Sequence, residues 1–352
     1  MVLPTTNLTL LHVAAVGDSL EVFTLLESYG FDIGCSSAAS YLPIHYACLY
    51  SSYEVASYIL AKKPEMAKSE PQVEFHLLYL TATGGDPGIM SLLFENNINL
   101  KSPANRRNNP FFKAVQSRNI ECLKILLQHG ERPPKNDEFT FPMYAAINLQ
   151  PAAVEYLVEN DENLISYCSP ISHHTLLGLC CFTGQPFKNV ILNLLKKATK
   201  IEPPSEIECQ GPIHWMCTFI DLDVAHAFFR HAVNVNRLDQ EGKTGFHYLI
   251  DKPKQMETKI IQLMQLIIDH GFNINIRRAP RPNSQQPPTV LEHFINAIMK
   301  SYNIIEFLIM NGADIYAENK NQKRLIDAVM EKKDKKLIEI FKKSPMYKPE
   351  QV

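Results

Sequence analysis

The chain has 352 residues, of which 45% are hydrophobic and 20% are charged, and its formal net charge is -2. This composition excludes disordered, collagen-like and membrane-embedded chains, and the small net charge gives no general attraction to nucleic acid or anionic membranes. The longest apolar runs, such as residues 191–195 and 304–310, are far shorter than the roughly 20 residues that cross a bilayer. The N-terminal residues lack a secretion signal, so we expect a cytoplasmic location, with a nuclear one also open.

A short block recurs along the chain: a turn residue, two small or apolar residues, histidine or an aromatic residue, and then small residues. Its clear copies, in chain order, are residues 9–14, 42–47, 110–114, 142–146, 175–180, 212–216 and 244–249, and weaker copies surround Tyr79, Glu292 and Ile326. Equivalent positions are 32 to 36 residues apart, except for one spacing of 45 residues. This period predicts about ten repeats. They start near residues 9, 42, 76, 109, 141, 175, 211, 244, 289 and 323, in a domain of residues 1–343 with a C-terminal tail of residues 344–352.

Each block is followed by an amphipathic helical pattern. In the first repeat the apolar residues fall at i, i+3, i+4 and i+7 on one helical face, namely Val22, Leu25, Leu26 and Tyr29. Glycine ends several of these helices because it readily adopts the left-handed conformation; examples are Gly30, Gly130, Gly271 and Gly312. A capping residue or proline at the start of the block begins the first helix. Each repeat is therefore predicted to be a helix, a turn, a second helix and a hairpin loop.

This unit resembles the ankyrin repeat, which has about 33 residues and a T-P-L-H-x-A signature. The resemblance covers essentially the whole chain and implies an all-α solenoid of helix-turn-helix-hairpin units, in a curved right-handed stack with a concave face. The chain departs from the pattern at an insertion in residues 251–258 and in lengthened loops near Pro203 and Pro282. The first repeat has no hairpin before it, so we expect its N-terminal edge to be poorly covered. Either the chain is a fragment of a longer protein, or this edge pairs with something else. The lysine-rich last repeat suits a solvated end.

Four histidines occupy the fourth position of the block: His12, His45, His214 and His247. Histidine titrates near neutrality and is therefore a common catalytic residue. In the ankyrin family, however, this position bridges adjacent repeats through hydrogen bonds. We therefore interpret these four histidines as structural.

Another group of metal-binding residue types lies close together in the sequence: Cys168, His173, His174, Cys180 and Cys181. Their spacing matches no compact zinc-ligand pair, and the cysteine pair stands where other repeats carry small core residues. The chain also lacks the phosphate-loop, nucleophile-elbow and zinc-protease motifs. We therefore expect no enzyme activity, no cofactor, no metal and no small-molecule substrate.

Three aromatic residues stand near the ends of first helices, where ankyrin arrays contact their partners on the concave face: Tyr50, Phe182 and Phe219. Exposed aromatic residues often dominate binding energy, but these three could equally fill gaps between imperfect repeats. Four loop arginines are further candidates because guanidinium groups pair with acidic surfaces. They are Arg106, Arg107, Arg277 and Arg278.

The resemblance implies a non-catalytic interaction module that holds a protein partner of unknown identity through hairpin tips and first helices of the concave face. A pathogen or viral adaptor or scaffold that targets host proteins is the alternative. Nucleic-acid binding through the basic loops is less favoured, because the basic residues come from separate repeats and have acidic neighbours.

Overall fold

The computed structural model describes residues 8–68, 76–98, 109–131, 138–203, 209–250, 252–277, 288–298, 300–319 and 321–349. In these ranges the regular structure is helical, with isolated β-bridges between Cys168 and Thr175 and between Glu318 and Arg324. The predicted all-α fold is confirmed. The chain divides into two compact units, Met1–Asn136 and Asp137–Val352.

In the unit Met1–Asn136, each pair of described helices consists of a first helix, a tight turn and a second helix. Successive first helices contact one another, and so do successive second helices. The helices are α1 (Leu10–Val16), α2 (Leu20–Ser28), α3 (Pro43–Leu49), α4 (Tyr53–Lys62), α5 (Leu77–Gly84), α6 (Pro87–Glu95), α7 (Pro110–Gln116) and α8 (Ile120–Gln128).

Local sequence explains where these helices begin and how closely they pack. The side chains of Asp86 and Asn119 each accept a backbone N–H from three residues ahead, which caps α6 and α8. Proline begins α3, α6 and α7, where the missing N–H has no helical acceptor to lose. Buried small residues at one position of the first helices let neighbouring helices approach closely: Ala14, Ala47, Thr81 and Ala114.

The unit Asp137–Val352 has the same two-layer arrangement. Its α-helices are α9 (Phe141–Ile147), α10 (Pro151–Asn160), α11 (Leu176–Thr183), α12 (Lys188–Lys197), α13 (Pro212–Phe219), α14 (Leu222–Phe228), α15 (Glu257–Asp269), α16 (Val290–Asn296), α17 (Tyr302–Met310), α18 (Leu325–Lys332) and α19 (Lys335–Lys342). First helices contact in the series α9, α11 and α13, and second helices in the series α10, α12, α14, α15, α17 and α19.

The first helix of the repeat near residue 244 differs from the sequence prediction. Residues Gly245–Leu249 form a short 3-10 helix, which ends at the extended residue Ile250. The backbone here lies against α13, because a Cβ on Gly245 would be 2.7 Å from the carbonyl oxygen of Ile213. This close approach requires glycine where other repeats carry proline or a larger residue.

The block histidines hold the starts of their own helices, and two of them link one repeat to the next. In all four, Nδ1 accepts the backbone N–H of the residue three positions earlier, at 3.0 to 3.1 Å. Because an amide N–H can only donate, the hydrogen of the neutral ring sits on Nε2. Nε2 then donates to a backbone carbonyl just before the next first helix, in the pairs His12–Tyr41 and His214–Lys243. The bridging role is confirmed for these two, whereas His45 Nε2 has no acceptor among the described residues.

Burial keeps these histidines neutral. Desolvation lowers the pKa of His12 and His214, and it lowers the pKa of His45 and His247 to about 4. A proton on Nδ1 would also remove the acceptor that caps the first helix. The four side chains therefore make the stacked repeats sensitive to acid.

We predict that the chain loses stability as the pH falls from about 6.5, the ordinary histidine pKa, to about 4, the folded-state pKa of His45 and His247. In this window the unfolded chain binds protons that the folded chain excludes, so the stability from neutral histidines is complete only above the unfolded pKa. Urea unfolding midpoints across this range measure the effect. His247→Asn should give a shallower decline than the native chain, and equal slopes would contradict the role assigned to this histidine.

Candidate functional site

The unit Asp137–Val352 contains a groove of about 500 Å³, lined by parts of two hairpin loops and three helices. One rim is the loop of residues 172–175, and the other is the loop of residues 239–241. Between the rims lie Gly178, Phe182, Trp215 and Tyr248. We call this feature the Phe182 groove.

Gly178 and Trp215 form the close-packed part of the groove. Gly178 stands in α11 at the position that holds histidine in other repeats. A Cβ on Gly178 would lie 2.8 Å from Trp215 Nε1 and 3.1 Å from Thr175 Oγ1, so glycine leaves the indole its place. The Trp215 side chain is almost completely buried and packs on Phe228, with ring centroids 6.3 Å apart. In this repeat, which lacks the block histidine, the Trp215 indole therefore packs against Gly178 and forms one wall of the groove.

The first rim is fixed by the carboxylate of Glu138. It accepts the backbone N–H groups of Ile171 and Ser172 at 3.2 and 2.9 Å, and the hydroxyl of Ser169 at 3.2 Å. Ser169 closes the loop, because its N–H donates to the His174 carbonyl and its Oγ accepts the His174 N–H. Hydrogen bonding from Ser172 is the largest effect that lowers the pKa of Glu138, so this carboxylate stays charged.

The second rim is fixed by Asp239. Its Oδ1 accepts the backbone N–H groups of Glu241 and Lys243 at 2.8 and 2.9 Å, and its Oδ2 accepts the Tyr248 hydroxyl at 2.6 Å. The Gln210 side-chain amide donates to the Tyr248 oxygen at 2.8 Å. Burial, followed by the hydrogen bond to Asp239, raises the pKa of Tyr248. The phenol therefore remains a neutral donor that ties the loop to the helical layer.

Phe182 is the most exposed aromatic side chain of this groove. Its exposed fraction is 79%, and it lies near the C-terminal end of α11 beside half-buried Leu179. Polar loops held by hydrogen bonds stand on both sides of this exposed ring.

The aromatic candidates from the sequence have different environments. Tyr50 is 55% exposed at the end of α3, in the unit Met1–Asn136, and Phe182 is exposed in the other unit. Phe219 is only 6% exposed, so its predicted exposure is wrong. Phe219 lies one residue further from the N-cap of its helix than Phe182 lies from the N-cap of α11. One residue along a helix rotates the side-chain direction by about 100°. Phe219 therefore fills the core, which was the alternative interpretation.

Only one of the four arginine candidates lies in the described part of the chain. Arg106, Arg107 and Arg278 lie outside the described residues. Arg277 donates to the backbone carbonyl of Glu318 at 3.2 Å, and it does not line the groove. The binding roles of these four arginines stay predictions.

The cysteines and histidines that lie close in sequence are separated by burial. Cys180 and Cys181 are buried in α11, and burial raises the pKa of both thiols, whereas His174 is exposed on the rim. Over the part of the chain that the structure describes, no three His, Cys, Asp or Glu side chains form a group suited to a metal ion. In the same residues no helix has the length and apolar character to cross a membrane.

Sequence reasoning did not select Gly178, Trp215 or Tyr248 for the site. Two signals were present, because Gly178 replaces the block histidine and Trp215 is the single tryptophan of the chain. Neither signal shows by itself that the indole occupies the space above the glycine. That contact depends on how α11 and α13 pack.

Comparisons with known proteins identify the repeats. The family model "Ankyrin repeats (3 copies)" matches residues 77–168. The chain is 27% identical over 122 residues to "Ankyrin and armadillo repeat-containing protein" from Mus musculus, covering 34% of this chain and 8% of that protein. It is 28% identical over 126 residues to "Putative palmitoyltransferase ZDHHC13" from Danio rerio, covering 35% of this chain and 19% of that protein. The chain thus matches only a small part of either relative's length.

Among solved structures, the crystal structure of the human ASB11 ankyrin repeat domain is similar with a TM-score of 0.44 and 18% identity. The match covers 73% of this chain and 98% of that domain. The family match, the repeat spacing and the helical pairs agree, and the chain carries ankyrin repeats in residues 77–168.

We predict that Gly178→Ala destabilises the chain by about 1–3 kcal/mol, the usual cost of overpacking a core, because the new methyl group displaces the Trp215 indole. Thermal unfolding measures the loss, and fluorescence emission reports the displacement because Trp215 is the single tryptophan. Gly17→Ala is the matched control, since its nearest atom would be 3.7 Å away. It should change stability by less than about 0.5 kcal/mol and leave the emission unchanged. Unchanged emission and stability in Gly178→Ala would contradict the tight contact.

Proposed function

We propose that this chain binds a protein partner through the Phe182 groove, with an apolar side chain of the partner packed against the Phe182 ring. Ankyrin repeats are generally protein-protein interaction modules. The observation that carries the proposal is the 79% exposure of Phe182 beside a groove of about 500 Å³. Truncation of an aromatic anchor in such a position often costs about 2 kcal/mol or more of binding energy.

The rims support this role because they are ordered without a partner. Glu138 holds one loop and Asp239 holds the other through backbone hydrogen bonds. A surface that is already ordered loses less conformational entropy on binding. Phe182 is thus presented by a rigid frame, which favours recognition by a preformed surface over folding on contact.

The chemistry of the rims indicates the kind of segment that fits. Ser172, His174, Gln240 and Glu241 are exposed around the apolar ring, and together they provide hydrogen-bond donors and acceptors. The complementary segment has one large apolar residue with polar side chains or free backbone groups on both sides. This division into an apolar centre and a polar rim is typical of protein interfaces.

We predict that Phe182→Ala weakens binding of the purified partner by about thirtyfold, the equivalent of about 2 kcal/mol. The partner is first isolated with the native chain and identified, and its affinity is then measured by calorimetry for each variant. Trp215 emission follows the same titration. Because the ring is exposed, the variant should keep the native unfolding temperature.

Ile298→Ala is the matched control, because Ile298 is an exposed apolar residue of the same unit that does not line the groove. Its affinity should equal that of the native chain. The proposal fails if Phe182→Ala binds within twofold of the native chain, or if both variants weaken binding equally. Tyr50→Ala in the same titration measures whether the other exposed aromatic candidate contributes.

A further inference from the structure

The insertion in the repeat near residue 244 forms one side of a cavity of about 150 Å³ in the unit Asp137–Val352. The starts of α15, α17 and α19 and the end of α16 complete its walls. Its floor is apolar and consists of the buried side chains Leu249, Ile260, Phe294 and Ile304. We call this feature the lysine cavity.

Four ammonium groups from three separate segments line the lysine cavity. The insertion contributes Lys252 and Lys254, the residues before α17 contribute Lys300, and α19 contributes Lys336. The Lys336 ammonium group lies over the Tyr302 ring, 4.4 Å from its centre. Neither Lys252 nor Lys254 forms an ion pair within the residues that the structure describes. Lys252 is also half-buried, so it has lost part of its hydration without gaining an opposite charge.

The two carboxylates beside these lysines already hold the fold together. Glu257 accepts the hydroxyl of Ser301. Asp334 caps α19 and accepts the Tyr302 hydroxyl at 3.2 Å, and its distance of 3.9 Å to the Lys300 ammonium group is too long for a hydrogen bond. Among the described residues, four lysines therefore face two carboxylates, which leaves an excess of two positive charges.

This excess of charge is complementary to a phosphate monoester. Such a group carries a charge of about -1.5 to -2 at pH 7 and has three acceptor oxygens, whereas a carboxylate would leave part of the excess unbalanced. The attraction is stronger beside an apolar floor than in bulk water, because the local dielectric constant is lower. Asp251 adjoins Lys252 in the sequence and lies outside the described residues; one further carboxylate would still leave the cavity positive.

We propose that the lysine cavity binds a phosphorylated side chain of a protein segment, with Lys252, Lys254 and Lys336 as the donors to its phosphoryl oxygens. Pro253 and Asn303 are exposed at the rim, so the chain that carries the phosphoryl group lies across the surface there. The lysine cavity and the Phe182 groove share no lining residue. The proposal is therefore independent of partner binding in the Phe182 groove.

Capture of peptides by the immobilised full chain tests the proposal. One degenerate peptide library carries phosphoserine at a fixed central position, and a second library carries serine there. We expect at least about tenfold stronger retention of the phosphoserine library, and we expect inorganic phosphate to compete with it. Lys252→Gln and Lys336→Gln should each weaken binding of the retained phosphopeptides by about tenfold, because each removes one ammonium donor. The unfolding temperature of both variants should match that of the native chain, since neither side chain belongs to the core.

Lys259→Gln is the matched control, because Lys259 is an exposed lysine of α15 that does not line the cavity, and its affinity should equal that of the native chain. Phe182→Ala should also bind the phosphopeptides normally, which separates this site from the Phe182 groove. Equal retention of the two libraries, or unchanged affinity in both cavity variants, would overturn the proposal. Binding of inorganic phosphate, or of phosphatidylcholine vesicles that contain phosphatidylinositol phosphate, without retention of the phosphoserine library would also overturn it and would assign the cavity to a different phosphoryl source.

Discussion

An ankyrin-type helix pair cannot bury its apolar surface alone, and most features of this chain follow from that constraint. Val55, Ile89 and Cys122 are completely buried because a preceding pair covers each of them, while Val22 at the same position is exposed. Small residues in the first helices allow this stacking to be close. His12 and His214 then link neighbouring pairs, because one ring nitrogen accepts a hydrogen bond at the start of its own helix and the other donates to the next repeat. Stacking therefore sets the core and also determines which surfaces stay available.

The Phe182 groove lies where this regular stacking is modified. Gly178 replaces the histidine, and the indole of Trp215 occupies the space that a side chain would need. Two carboxylates, Glu138 and Asp239, hold the flanking loops through backbone hydrogen bonds. This repeat therefore lacks the histidine bridge and has instead the Trp215 indole and two hydrogen-bonded loops around the exposed Phe182. The groove differs from the other repeats because of this local departure from the pattern.

The sequence was sufficient to predict the architecture because the spacing of the block is a property of the chain alone. Exposure of single side chains was harder to predict, since it depends on rotation about a helix and on neighbouring loops. Phe182 and Phe219 show this. Their distances from the N-caps of their helices differ by one residue, and Phe182 is exposed whereas Phe219 is buried. The 3-10 helix Gly245–Leu249 and the packing of Trp215 on Gly178 likewise depend on the distances between helices. The spacing of the repeats along the sequence does not predict those distances.

Hydrogen exchange of the chain with and without the purified partner tests most directly the proposal that a partner binds in the Phe182 groove. Amides of the rim loops and of the end of α11 should become protected on binding, in residues 169–175, 179–184 and 239–243. The second-helix layer, including α12 and α14, should exchange at unchanged rates. Protection confined to α12 and α14, or to the unit Met1–Asn136, would contradict the claim.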